Sequence, residues 1–174
     1  LIVNDAVNNQ LMKTDTDLIL YGRETRPIHK ALAYTTNPFL PGLSGEEDKC
    51  LELLSSAGIR LEGEGRWRTV ADLSLEEKQN LLTKIIQHIT SLRFPGNVAL
   101  NLIGTSYTLL NEQKWTQLRD AREFSSLLNA CGRMRKPGLA LSICLGERGA
   151  ILDEVQQLVA EYRQTLAKYV EWLG

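Results

Sequence analysis

The sequence predicts a mainly α fold, a compact helical domain in which residues 59–70 suit either one small β-hairpin or an ordered loop. Three observations carry this. Ser or Asp stands three residues before Glu at Ser44/Glu47, Ser74/Glu77 and Asp120/Glu123, the capping-box spacing in which each side chain satisfies an orphan amide of a first helical turn. Apolar residues then recur at helical period after each of these starts. The chain has 174 residues, 43% hydrophobic and 24% charged, which is close to the globular average and gives one ordinary domain the mass to bury a core.

Taken in order, Val3, Val7 and Leu11 allow a short helix, and Asp17 to Tyr21 reads as an extended apolar run. Gly22-Arg23-Glu24-Thr25-Arg26 leads to Pro27, which suits a first helical position, so a short helix is expected over Ile28 to Tyr34. Asn37 to Ser44 (NPFLPGLS) holds two prolines and a glycine and reads as a stiff, irregular connection pinned to the core by Phe39, Leu40 and Leu43. After Ser44 comes a helix with Cys50, Leu51 and Leu54 inward, stopping at Gly58. Residues Ile59–Leu61 and Trp67–Val70 flank the turn-rich Glu62 to Gly65. Leu75, Leu81, Leu82, Ile85, Ile86 and Ile89 mark a long amphipathic helix ending near Leu92, ahead of Pro95-Gly96. Val98 to Leu110 is apolar but open between helix and strand, because Gly104, Thr105, Tyr107 and Thr108 weaken either choice. The helix from residue 121 turns Phe124, Leu127, Leu128 and Cys131 inward and runs into Gly132. Leu139, Ala140, Ile143 and Cys144 predict a fully buried short helix closed by Gly146, and a last helical stripe runs from Ile151 to Leu173. Residues 1–174 therefore read as a single helical domain, with 95–97 as the point of any subdivision.

Several classes are excluded. Twenty Lys+Arg against twenty-one Asp+Glu give a formal charge of -1, so nucleic acid is not bound by overall charge and any such binding falls to local clusters. Cys50, Cys131 and Cys144 are odd in number and lie in apolar patterns, which predicts buried, reduced thiols in a cytoplasmic protein. No run of about 18 apolar residues spans a membrane and no charged-then-apolar leader is present. The chain begins at Leu1, not Met, and its last helix is still periodic at Leu173. It is expected to be cut from something longer.

The residue types of a catalytic centre are not gathered. A two-metal phosphodiesterase concentrates Asp and His around cations about 3.5–4 Å apart, whereas the aspartates here are scattered and His29 and His88 lack acidic or cysteine partners at helical spacing. No Walker loop, nucleophile elbow or dinucleotide turn is present. The candidates that remain are cationic. Arg23 and Arg26 flank an expected helix start, where amides and dipole favour an anion, the alternative being an arginine paired with Glu24 or another carboxylate. Arg133, Arg135 and Lys136 follow Gly132 at a helix end, able to hold a phosphate or simply to complement the helix dipole while the glycine caps it. Arg66, Trp67 and Arg68 form the only local aromatic cluster and are read as a strand with Trp67 buried.

Three separated segments, Leu20–Lys30 (LYGRETRPIHK), Asn37–Gly45 (NPFLPGLSG) and Arg119–Met134 (RDAREFSSLLNACGRM), resemble the archaeal RecJ-like nucleases of the DHH family, also called GINS-associated nucleases. Asn129-Ala-Cys-Gly-Arg133 is similar to the Asn-Ala-x-Gly-Arg motif of bacterial RecJ exonucleases, and Leu139 to Arg163 resembles the segment connecting the two nuclease halves. The Asp-His-His triplet and the Gly-Gly-His motif of the flanking DHH and DHHA1 domains are missing from the chain. The resemblance therefore implies a CID-like insertion from a larger, manganese- or magnesium-dependent exonuclease acting on single-stranded DNA or RNA. It also implies that Asn129 and Arg133 face substrate phosphate, that the fragment is not catalytic alone and holds no cofactor, and that the replication proteins GINS or MCM are alternative partners.

Overall fold

The computed structural model describes residues 2–173, apart from the side chains of Ala167, Val170, Glu171 and Leu173. The chain divides into two compact units, residues 1–121 and 122–174. The mainly α architecture is as expected. Two small antiparallel two-stranded sheets accompany the helices, one of them the expected hairpin.

In the first unit, helix α1 (Ile2–Asn8) leads into strand β1 (Met12–Leu18). The extended segment thus begins earlier than the apolar run Asp17 to Tyr21 suggested. β1 pairs antiparallel with β4 (Ile103–Leu109), Met12 opposite Leu109 and Leu18 opposite Ile103. This settles the ambiguous stretch 98–110, whose first part forms a 3-10 segment, Gly96–Leu102, before the strand starts. A Cβ on Gly104 would lie 2.9 Å from Ile19 Cδ1, so any side chain there would displace the end of Ile19.

Helix α2 (Ile28–Ala33) follows Pro27, which sits at the cap rather than at the first helical position. In the connection 37–44 Leu40 and Leu43 are fully buried, but Phe39 is 61% exposed, so two of the three expected pins hold. Helix α3 (Glu47–Ser56) starts without a side-chain cap bond. The Ser44 hydroxyl is used elsewhere, donating to Thr35 O at 2.6 Å and accepting from Leu40 N at 2.9 Å. The helix ends at Gly58 with φ +67, where Ile59 N donates to Leu54 O and Gly58 N to Ser55 O, the pair of bonds that closes a helix on a left-handed residue.

The hairpin pairs β2 (Glu62–Gly63) with β3 (Arg66–Trp67). Its turn residues Glu64 and Gly65 both have positive φ, the combination whose twist matches paired strands. Helix α4 (Leu75–Ser91) has the full capping box: Ser74 Oγ accepts from Glu77 N at 3.1 Å and Glu77 Oε2 accepts from Ser74 N at 2.8 Å. Helices α2, α3 and α4 pack in sequence, and α4 also packs on the 3-10 segment. The core between them is built from Ile28, Leu32, Leu54, Leu81, Ile85 and Ile89.

The second unit holds most of α5 (Ala121–Arg133), with α6 (Pro137–Cys144) and α7 (Ala150–Leu173). Leu127 and Cys131 are buried as the period predicts, while Phe124 and Leu128 are half-buried. Helix α6 is not the fully buried element expected, since only Ile143 is buried and Cys144 is exposed. On α7 Val155, Leu158 and Val159 are buried, whereas Leu166 and Tyr169 are exposed. The last residue of that expected stripe, Leu173, has its side chain outside the described residues.

Candidate nucleic-acid interface

The end of α5 is closed by two backbone bonds, Lys136 N to Cys131 O at 2.9 Å and Arg135 N to Gly132 O at 3.1 Å. They require a left-handed residue, and it is Arg135, with φ +58. Gly132 therefore does not cap the helix as its position suggested. It lies inside α5, and a Cβ placed on it would meet nothing within 4 Å. Asn129 and Arg133 are one helical turn apart and both exposed, on the side away from buried Leu127, Ala130 and Cys131. The side chains of Asn129, Arg133 and Arg135 have no hydrogen-bond or ion-pair partner among the described residues. Lys136 precedes α6 and is paired through Nζ with Glu154 Oε1 at 3.2 Å, both groups about half exposed. A screened pair of that kind contributes little and yields easily to a stronger anion. The turn thus presents planar guanidinium donors beside Gly132, on which a Cβ would meet nothing within 4 Å; a guanidinium fork matches a phosphate or a carboxylate bidentately.

Arg23 is placed differently. It is 6% exposed, with Nε donating to Asp120 Oδ2 at 3.1 Å, Nη1 to Asp17 Oδ2 at 3.1 Å, and Nη2 to Glu24 Oε1 at 3.4 Å and Thr108 Oγ1 at 2.9 Å. Burial works against its charge, but the bond to Asp120 and the charges of Asp120, Glu24 and Asp17 outweigh it and hold the pKa above the usual arginine value. Lys78 Nζ joins the cluster at 2.8 Å from Asp17 Oδ2. The guanidinium is committed to the interior, fastening the loop after β1 to β4 and to the residue before α5. Arg26 lies over the rings of Tyr21 and Tyr34, at 5.0 and 5.4 Å from their centroids.

Sequence reading missed a second aromatic position. Trp67 is 45% exposed rather than buried, and Trp115 is 43% exposed. Arg66 holds Asp72 through two bonds of 2.8 Å and lies 3.8 Å over the Trp115 ring. Burial alone would raise the Asp72 pKa, but bonds from Arg66, Thr69 and Trp115 bring it far below the carboxylate range. The signal available in sequence was slight, because Lys114-Trp115 stands alone in a polar loop.

His29 is buried against Trp67, ring centroids 5.1 Å apart. Desolvation lowers its pKa, although Glu47 Oε2 lies 4.0 Å from Nε2. Among the described residues no group of three or more His, Cys, Asp or Glu is arranged to hold a metal ion. Nor is any described helix long and apolar enough to cross a membrane.

Residues 20–103 match the family described as the DHH-CID domain. That stretch contains the first two resembling segments and Arg23, and it ends before α5. An uncharacterized protein of Methanocaldococcus jannaschii is 30% identical over 165 residues, covering 95% of this chain and 33% of that protein. The chain thus spans about a third of the length of this curated relative.

Proposed function

We propose that the chain is the helical insertion of a RecJ-like DHH-family exonuclease acting on single strands, and that the end of α5 offers Asn129 and Arg133 to the phosphate backbone. The likeness of residues 20–103 to the DHH-CID domain supports the family. The observation that carries the site is the pair Asn129 and Arg133 on one exposed face, their side chains without a partner among the described residues, with Gly132 beside them. Arg133 donates two parallel bonds to a phosphate and Asn129 a further one, while Arg135 and Lys136 add charge nearby. In this reading the manganese or magnesium ion and the hydrolytic step belong to a flanking domain, and this chain orients the strand without cutting it.

The test uses the chain itself. A short single-stranded oligonucleotide titrated at low and moderate salt is expected to bind weakly and to lose affinity as salt rises, with no metal-dependent cleavage. Arg133→Ala is expected to weaken binding and flatten the salt dependence by about one contact. Equal affinity and slope for the two proteins would overturn the site, and cleavage by a clean preparation would overturn the non-catalytic role.

One observation favours a second reading, a module that docks replication proteins such as GINS or MCM. Formal charge is -1, and many of the cations are neutralised internally, as in the pairs Arg66–Asp72 and Arg68–Glu77. Capture of such a partner in the absence of nucleic acid, together with no salt-dependent strand binding, decides for it.

A further inference from the structure

We infer that Lys114 and Trp115 form a separate site on the first unit that takes a nucleobase with its attached phosphate, the base stacking on the indole and the phosphate meeting the ammonium. This goes beyond the reading above, since it rests on the first unit alone and involves neither Asn129 nor Arg133.

The indole is built as a shelf. Trp115 has φ +62, a left-handed conformation that is a genuine outlier for a bulky side chain and costs about 1–2 kcal/mol. It is held there by three linked contacts. Its Nε1–H donates to Asp72 Oδ1 at 3.1 Å, Arg66 stacks on the ring at 3.8 Å from the centroid, and Arg66 and Asp72 are locked by their own two bonds of 2.8 Å. Thr69 fixes Asp72 in turn, through N at 2.8 Å and Oγ1 at 3.0 Å. A ring kept only to fill space is buried by such an arrangement. Trp115 remains 43% exposed. Strain retained around a rigid, exposed aromatic surface fits a preorganised binding surface.

Two clefts meet at this residue. One, of about 370 Å³, is lined by Gly63, Arg66 and Arg68, and the other, of about 250 Å³, by Lys13, Lys78 and Arg119; both are also lined by Asp72, Lys114 and Trp115. Of the carboxylates that line the clefts, Asp15 is engaged by Lys13 at 2.9 Å, Asp17 by Arg23 and Lys78, and Asp72 by Arg66, while Glu64, in the first cleft, is exposed and in no ion pair among the described residues. Lys114 is exposed and has no partner among the described residues. An open aromatic surface beside an unpaired ammonium in a groove of this size matches the combination by which single strands are bound without sequence preference, bases on aromatic rings and phosphates on cations. A flat uncharged ring would use the indole and leave the ammonium idle.

The experiment titrates the full chain with oligothymidylate and, separately, with thymidine 5′-monophosphate, reading binding by anisotropy and by tryptophan emission. Emission change on binding is expected to persist in Trp67→Phe and Trp172→Phe and to vanish in Trp115→Phe. Trp115→Gly, which also relieves the left-handed strain, is expected to bind about 5- to 150-fold more weakly, and Lys114→Ala to lower the salt slope by about 0.7. Equal binding of mononucleotide and oligomer assigns the site to free nucleotides; binding of the oligomer alone assigns it to strands. Wild-type affinity in folded Trp115→Gly, an emission change that survives in Trp115→Phe, or no saturable binding of either probe at low salt overturns the inference. Because emission reports on Trp115 and not on α5, failure here and failure of the Arg133 reading are separate results.

Discussion

Arg23 Nε meets Asp120 Oδ2 at 3.1 Å across ninety-seven residues of sequence, inside the first unit. This bond joins the loop after β1 to the residue that precedes α5. Removing one member of a buried ionic cluster leaves the others unbalanced, which costs about 3–5 kcal/mol. Arg23→Ala is accordingly expected to lower the urea midpoint of the chain by that equivalent, and Arg23→Lys to recover only part of it, because an ammonium cannot span Asp17, Glu24 and Asp120 as a fork does. A midpoint unchanged within 0.5 kcal/mol, by the usual ~0.5 kcal/mol bound for neutral surface changes, contradicts the structural role of Arg23.

Acid should weaken the start of α4 in a defined window. The Arg68 guanidinium, through bonds of 2.8 and 2.7 Å, is the main cause that brings the Glu77 carboxyl from 4.5 down to about 2, against the opposing effect of burial. A carboxyl depressed in the folded state binds fewer protons there than when unfolded, so its contribution is complete above the unfolded value and is lost as pH falls through the folded one. The window runs from about 4.5 to about 2. With solvent screening at this partly exposed pair, the contribution is about 1–2 kcal/mol. Unfolding free energies measured at pH 6, 4 and 2.5 should converge between wild type and Glu77→Gln as pH falls. A constant difference counts against the assignment.

At the end of α5 two substitutions should stabilise the fold. Gly132 lies inside the helix with open space around its Cα, so Gly132→Ala is expected to add up to about 1 kcal/mol. Arg135 stands at φ +58, and Arg135→Gly relieves a conformation that costs about 1 kcal/mol or more. If a phosphate approaches this backbone, both variants gain thermal stability while losing strand affinity. Gains in both quantities would argue that the turn has no ligand.

Thiol reactivity separates the three cysteines. Cys144 is exposed, Cys50 and Cys131 are buried, and burial, with smaller effects of Glu47 and Glu46, pushes the Cys50 thiol up to about 12. Only the thiolate reacts. One equivalent of thiol is expected to react quickly with a disulfide reagent in native protein, and the other two only on unfolding. Fast loss of all three would contradict the burial of α3 and α5.

Local signals in the sequence were legible where the structure is local. The Ser74–Glu77 box, the stop at Gly58 and the period of Leu81, Ile85 and Ile89 depend on residues within a turn of one another, and all are found. The pairing of β1 with β4 was not, because MKTDTDL is mostly polar and its partner lies far along the chain, Met12 opposite Leu109. The same distance hid the fate of Arg23: Glu24 is its neighbour, but Asp120 reaches it only through the fold. At Ser44 the capping pattern was present and a nearby backbone carbonyl, Thr35 O, took the hydroxyl instead. The cationic cluster at the end of α5 was legible in sequence, whereas which residue turns left-handed, Arg135, depended on where the helix stopped.

The most direct test of the central claim returns Arg133→Ala, with Arg133→Lys as the conservative control, to the longer parent protein that we propose is a nuclease, and measures single-turnover cleavage of a single strand. Loss of a charge-assisted phosphate contact is worth about 1.5–3 kcal/mol, so kcat/KM should fall about 10- to 150-fold in the alanine variant and less in the lysine variant. Cleavage at the wild-type rate, with unchanged substrate affinity, would contradict the account.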